Sequence, residues 1–273
     1  MAEALTAAML LDACDHARSL ERNRVAPLDD LAHGEALQAA IVIARLARGE
    51  RALGYKVGFT NRAIWPLYGV FHPIWGPVWN TTVVHAQSVA GHDTCRARIA
   101  AARFVEPRIE PEIVIGLRAA PAKDTPEAVL AATEWIAHGF EIVQSPFPGW
   151  RFSAAEAFAA QALHGALVLG PKRPASILEG EAARALARLG ACELELLRDG
   201  QLVERGRGAN ALDGPMHAVA HLAHELRLRG RSIEAGSLIT TGTLTDAAPL
   251  VPGQRWETRL HGLDLPGLVL DVD

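Results

Sequence analysis

The sequence predicts an α+β fold in which helices come first and a mostly antiparallel or mixed β-sheet follows. Three observations predict it. Residues 2–48 repeat apolar positions at helical spacing, whereas after Gly49 glycine and proline cut the chain into short runs and loops. The second half then carries β-branched apolar runs bounded by turn residues. We expect an N-terminal helical segment over residues 1–50 and a β-rich domain over residues 51–273, packed as a single compact unit.

Leu5, Met9 and Leu10 mark a first helix, and Leu37, Ile41 and Ala44 a second. The polar connector Glu21 to Asp30 separates them, with Pro27, Asp29 and Asp30 forming the turn into the second. Gly54, Gly58, Gly69 and Gly76, with Pro66, Pro73 and Pro77, punctuate the strand-and-loop layer that follows. RIEPEIVIGL, Arg108 to Leu117, reads as a strand because β-branched residues flank its acidic pair. TPEAVLAATEWIAH, Thr125 to His138, reads as a helix: Thr at the N-cap, Pro at the first helical position, and Gly139 to end it. Strands are expected at Phe140 to Val143, at Gly165 to Gly170 and at Ala191 to Arg198. Asp199-Gly200 is a two-residue hairpin turn leading into Gln201 to Arg205. A helix over Pro215 to Arg229 and strands over Ser237 to Thr243 and Gln254 to Leu260 complete the pattern.

Composition narrows the function. The 273 residues are 49% hydrophobic, enough for a large core without staples, and the three cysteines (Cys14, Cys95, Cys192) lack the spacing of a zinc knuckle or a disulfide framework. A reducing cytoplasm fits this usage, and the first eleven residues carry Glu3 where a secretory leader would carry Lys or Arg. Charged residues interrupt every apolar run before it reaches the length of a membrane span. Basic residues are scattered among acidic ones at a net charge of −4, so no stripe for nucleic acid exists. No GxGxxG follows a strand, which speaks against a dinucleotide enzyme; Gly206-Arg207-Gly208 imitates it only weakly.

The chemistry gathers around three glutamates. Glu110 and Glu112 are two apart in a strand, so both carboxylates leave the same face. Burying two such anions costs several kcal/mol, on the order of the penalty for any uncompensated charge, and so asks for a cation or paired arginines. Glu141 opens the next strand and can converge on them. Carboxylates without His or Cys select a hard ion, Mg²⁺ or Mn²⁺. The bland alternative places Glu110 and Glu112 on a solvated face, with Arg108 pairing Glu110 at the surface.

A resemblance weighs between these readings. GYKVGFT (Gly54 to Thr60), RIEPEIVIGL, FEIV (Phe140 to Val143), GALVLG, RGRGANALDGPMHAVAHLAHEL (Arg205 to Leu226) and AGSLITTGTLTDAAPLVPGQ (Ala235 to Gln254) recur in order over most of the chain. Together they resemble the 2-keto-4-pentenoate hydratase and 4-oxalocrotonate decarboxylase group of the fumarylacetoacetate hydrolase superfamily. The resemblance implies a β-sheet roll of the fumarylacetoacetate hydrolase C-terminal-domain type for residues 51–273, carrying the catalytic site. It implies Glu110, Glu112 and Glu141 as metal ligands, and Mg²⁺ or Mn²⁺ chelating the carboxylate and 2-oxo group of a small substrate. It also implies Lys56 as a substrate-binding and proton-moving residue beside the metal, and Thr241, Gly242 and Thr243 lining the acid-binding end; a snorkelling lysine and a structural hairpin are the competing accounts.

Two departures from the family pattern stand out. Where the family carries Asp after Gly76, this chain has Val78-Trp79-Asn80-Thr81, and before GALVLG it has Ala160, Gln161 and His164 instead of an Asp-Asn pair and a small hydroxyl residue. His164, then His72 and His217, are the candidates to replace the lost carboxylate, and Trp65, Trp75, Trp79 and Trp150 could enlarge an aromatic pocket. The expected activity is that of a hydro-lyase on a 2-hydroxy-2,4-dienoate in aromatic or small-acid catabolism. Its alternatives are decarboxylation of a 4-oxalocrotonate-like diacid, acylpyruvate-type carbon-carbon hydrolysis, and a non-catalytic partner subunit. The resemblance further implies a homo-oligomer and leaves room for a pathway partner enzyme.

Overall fold

A computed structural model describes residues 2–69, 71–89, 94–178 and 180–273. The N-terminal helical pattern resolves into α1 (Ala7–Asp15) and α2 (Leu31–Ala47). The Thr6 hydroxyl accepts from the Met9 amide and the Asp30 carboxylate from the Ala32 amide, partnering N–H groups that the first turn leaves open. Leu10, Leu11 and Ile41 enter the same core as the sheet residues Ile109, Phe140 and Ile142.

The larger sheet contains β1 (Ala52–Gly58), β2 (Ile74–Trp79), β3 (Val83–His85), β6 (Arg108–Leu117), β7 (Thr133–Val143), β8 (His164–Leu169) and β12 (Leu238–Thr243), with β9 (Arg173–Pro174) and β13 (Ala248–Pro249) attached. Its order is β2-β1-β12-β6-β7-β8-β3. The smaller sheet contains β4 (Gln87–Ser88), β5 (Thr94–Ile99), β10 (Glu193–Arg198), β11 (Gln201–Arg207), β14 (Arg255–His261) and β15 (Gly267–Val272), in the order β11-β10-β14-β15-β5-β4. Most pairs are antiparallel, but β1 with β12, β3 with β8 and β5 with β15 are parallel, which makes the architecture mixed. The short α3 (Trp65–Tyr68), α4 (Pro126–Ala132), α5 (Ala154–Ala159), α6 (Ala182–Ala191) and α7 (Pro215–Leu228) connect the strands. Among the described residues no helix is long and apolar enough to cross a membrane.

The helix expected over Thr125 to His138 stops at Ala132, and Thr133 to His138 belong to β7. The Thr125 cap and Pro126 start the helix as expected. Its end is set by β6, whose ten residues find partners along β7 from Leu117 opposite Thr133 to Arg108 opposite Val143. Trp135 lies across Gly116, where a Cβ would come within 1.9 Å of the indole. A full ladder and a covered glycine outweigh the local helical preference of TEWIAH. Similarly, α6 runs to Ala191 and the following strand begins at Glu193 rather than Ala191. The Asp199-Gly200 hairpin forms as read, with both residues at positive φ (53° and 77°).

His138 sits on β7 with its Nδ1 2.9 Å from the Glu112 carbonyl oxygen and its Nε2 2.8 Å from the Thr258 hydroxyl. Burial lowers its pKa to about 4 from 6.5. The unfolded chain therefore takes up this proton below pH 6.5 while the folded chain refuses it until about pH 4. Stability contributed by the neutral ring is full above pH 6.5 and falls, by on the order of 3 kcal/mol, as the pH is lowered to 4. Urea unfolding of wild type and His138→Gln between pH 7 and 4 should show a shallower pH slope in the variant; parallel slopes would contradict this.

Candidate metal and substrate site

The register of three strands builds the site. Glu110 on β6 stands directly opposite Glu141 on β7, and period-two alternation puts Glu112 on the same face as Glu110. One carboxylate oxygen from each of Glu110, Glu112 and Glu141 lies within 4.8 Å of the other two. On the far side of β12, Lys56 of β1 is paired with Thr240. Its Nζ is 3.3 Å from Glu141 Oε1, with Lys56 2% exposed and Glu141 fully buried. The surface reading of the glutamates therefore fails for Glu112, which is also fully buried, while Glu110 is half-buried.

A bulge completes the cradle. Between the pairs Thr240–Val114 and Thr243–Glu112, β12 advances three residues while β6 moves two. Gly242 absorbs the extra residue at φ +99°, a region open chiefly to glycine, and its amide donates to Glu112 Oε2 at 2.8 Å. A Cβ there would sit 1.7 Å from Thr60 Oγ1. We expect Gly242→Ala to destabilise the fold by roughly 3 kcal/mol or more. Its urea midpoint tests this, and a midpoint equal to wild type would contradict it.

Glu141 is held from three sides. Its Oε1 accepts from His164 Nδ1 at 2.9 Å as well as facing Lys56, and its Oε2 accepts from the Thr240 hydroxyl at 3.2 Å. Burial resists its anion, yet Lys56 and then His164 hold its pKa down, to about 2. Burial pushes Glu110 up to about 7, Lys56 pulling it back and Glu141 adding to the rise. Glu112 is driven well above the carboxylate range by burial and by the Glu141 and Glu110 charges. Burial works against the Lys56 ammonium too, but Glu141, Glu110 and Glu112 keep its pKa above the ordinary value. One ammonium thus faces three carboxylates, and among the described residues the buried Glu112 Oε1 meets no hydrogen-bond donor. An excess of buried anionic oxygens with one unpartnered is the chemistry of a divalent-cation site, and all-oxygen ligation fits a hard ion.

A cavity of about 230 Å³ opens over this cluster. Lys56 and Glu110 form its floor, Thr243 and Asp246 one wall, and Phe59, Trp150 and Phe152 an aromatic wall, with Arg108 beside them. Of the expected acid-binding residues, Thr243 lines the cavity. The Thr241 hydroxyl instead donates to the Ile113 carbonyl oxygen at 2.8 Å, and Gly242 serves Glu112. His164 stands behind Glu141 rather than in the cavity wall, its Nε2 2.8 Å from the Thr82 hydroxyl, and burial lowers its pKa. His72 and His217 are likewise outside the cavity wall. Of these tryptophans, among the described residues, Trp150 alone lines it; Trp75 and Trp79 are core residues, and the Trp65 indole donates to the Phe59 carbonyl oxygen.

The two departures prove to be neighbours: the buried Trp79 indole N–H donates to Gln161 Oε1 at 2.8 Å. A neutral pair thus links the two segments in which this chain departs from the pattern. Thr240, Asn61 and Asp246 were not singled out from sequence. For Thr240 a signal existed, since a strand pairing with β6 had to present a residue toward the acidic face; Asn61 and Asp246 lie in loops, where spacing says nothing of direction.

Residues 77–265 match the family described as Fumarylacetoacetate (FAA) hydrolase C-terminal. The chain is 30% identical to 2-keto-4-pentenoate hydratase 1 of Dechloromonas aromatica (strain RCB), covering 94% of this chain and 92% of that one. It is 32% identical to a 4-oxalocrotonate decarboxylase of Pseudomonas sp., covering 80% of this chain and 78% of that one. Among solved structures it is similar to the 4-oxalocrotonate decarboxylase of Pseudomonas putida G7 complexed with magnesium and adipate. That likeness has a TM-score of 0.84 at 25% identity, over 98% of this chain and 95% of that one.

Proposed function

Since the chain belongs to the fumarylacetoacetate hydrolase family, we propose that it is a divalent-metal-dependent hydro-lyase. Its reaction is addition of water to a 2-hydroxy-2,4-dienoate, through the 2-oxo-3-enoate tautomer, to give a 4-hydroxy-2-oxoacid. One observation carries the reading: three glutamates and a buried lysine cluster together, and two of that cluster, Glu110 and Lys56, line an aromatic-walled cavity. Glu110, Glu112 and Glu141 would hold Mg²⁺ or Mn²⁺, a reading that the donor set and the open Glu112 oxygen support. Such an ion supplies Lewis acidity to a chelating 2-oxo acid.

The chain's own residues do the rest. Lys56, kept charged by its acidic neighbours, offers its N–H groups to the oxo or carboxylate oxygen of an acid entering the cavity. His164 acts as a positioning residue: with its Nδ1 committed to Glu141, it fixes the carboxylate's orientation from behind. Phe59, Trp150 and Phe152 exclude water from the reacting carbons, and Thr243 supplies a polar wall. The free thiols, with burial pushing Cys14 up to about 12 and Cys192 up to about 11, suit a reducing cytoplasm. We also infer self-association, which the family resemblance supports and sedimentation would test.

Turnover with Mg²⁺ or Mn²⁺ should consume the ultraviolet absorbance of a 2-hydroxy-2,4-dienoate without releasing carbon dioxide. Carbon dioxide released in step with substrate loss from an oxalocrotonate would replace this reading with decarboxylation. Inactivity on dienoate, oxalocrotonate and acylpyruvate alike would leave a non-catalytic partner.

A further inference from the structure

We propose that Arg108 selects substrates bearing a second carboxylate, at the end remote from the 2-oxo acid group. This rests on the reading that a 2-oxo acid is chelated at the glutamate cluster. Arg108, Glu110 and Glu112 leave the same face of β6 in succession: Arg108 and Glu110 are half-buried and line the cavity, and Glu112 is buried beneath it. Each step of two residues advances roughly 6.8 Å along an antiparallel strand, comparable to the length of a short dicarboxylic acid. An acid held at the floor by its first carboxylate thus points its far end toward the Arg108 guanidinium.

That guanidinium is prepared for an anion. It lies 4.2 Å from the Trp150 ring centroid and is half-buried. Among the described residues it makes no hydrogen bond or ion pair with a protein acceptor. The ring contact engages the group without using its N–H fork, which can take a carboxylate in two parallel hydrogen bonds. The platform is itself fixed. Trp150 adopts φ +59°, uncommon for a bulky residue, with its indole N–H donating to the Glu106 carbonyl oxygen at 2.9 Å. The preceding Gly149 amide donates to the Glu106 carboxylate at 3.0 and 3.1 Å. Strained backbone held by a carboxylate is retained here to set an indole beneath an arginine. The other charged wall, Asp246, is exposed at the mouth and repels an anion, so Arg108 is the group that can attract the second carboxylate.

The consequence holds for either reaction. Water addition to a 2-hydroxy-2,4-dienedioate places the water oxygen on C4 and a proton on C3 of its 2-oxo-3-ene tautomer, and the distal carboxylate is unchanged. Calorimetric titration of the full chain in saturating Mg²⁺ with two unreactive saturated acids, 2-oxohexanedioate and 2-oxohexanoate, tests it. Wild type should bind the diacid about tenfold or more tighter. Arg108→Gln should lose that preference while keeping its affinity for 2-oxohexanoate, and Arg108→Lys, with charge but no stacked fork, should fall between. Retained 2-oxohexanoate affinity also shows that the variant is folded. Equal wild-type affinities, or a loss in Arg108→Gln shared by both acids, would overturn the assignment of Arg108 while leaving the 2-oxo acid site standing. If neither acid binds wild type, the chelation reading fails and this proposal with it.

Discussion

Glu112→Gln is expected to weaken Mn²⁺ uptake by about a hundredfold or more and to abolish turnover, while the metal-free protein melts no lower than wild type. The first half follows from the loss of a ligand charge, since even residues that only support ligands cost up to about a hundredfold. The second half follows from the electrostatics. Glu112 is fully buried beside two other carboxylates, and burial, then the Glu141 and Glu110 charges, drive its pKa well above the ordinary range. An amide of the same shape removes that repulsion and keeps an oxygen to accept from the Gly242 amide. Stability gained where function is lost marks a site whose strain is there to be relieved by a cation. Melting curves with and without Mn²⁺ separate the two halves; a variant that melts well below wild type without metal would show that Glu112 serves the fold instead.

Lys56→Met is expected to do the reverse to stability and also to slow the chemistry. Activity should fall by about 10²- to 10⁴-fold, the range for a group that binds and moves charge at the reacting centre. Removing the buried Lys56 ammonium takes from Glu141 its partner at 3.3 Å. Breaking a buried pair in this way costs about 3–5 kcal/mol. Because the deficit is one of positive charge, Mg²⁺ should restore more stability to Lys56→Met than it adds to wild type. Unfolding in urea with and without Mg²⁺ checks this. A variant insensitive to Mg²⁺ and as stable as wild type would reduce Lys56 to a packing residue.

The contrast between these variants reflects what the sequence could and could not convey. Period two along RIEPEIVIGL was enough to place Glu110 and Glu112 on one face, and Glu141 duly stands across from Glu110. Their burial was not legible. It depends on β12 and β7 flanking β6 on both sides and on the aromatic wall above, contacts made by residues more than a hundred positions away in the case of β12. The helix drawn through Thr133 to His138 failed for the same reason, because a long-range ladder decided a segment whose local pattern was ambiguous.

Side-chain direction was legible only where the backbone is regular. Thr241, Gly242 and Thr243 were read together, yet the bulge sends them three ways: to the Ile113 carbonyl, to the Glu112 carboxylate and to the cavity. His164, a candidate to replace the lost carboxylate, stands behind Glu141 because β8 pairs with β7 there, with a register shift between Ile142 and Val143. Arg108 was read as a possible surface partner of Glu110, and Trp150 beneath it was one aromatic among several. Their stacking depends on two successive left-handed residues, Gly149 and Trp150, that no periodicity encodes.

The account stands most directly on the uptake of a hard cation by the three glutamates. Metal-free protein titrated with Mn²⁺, followed by loss of the free-ion electron paramagnetic resonance signal, should take up one ion per chain and release it to excess Mg²⁺. The chain carrying Glu110→Gln, Glu112→Gln and Glu141→Gln together should leave the free-ion signal untouched. Equal Mn²⁺ uptake by that triple variant and by wild type would contradict the account.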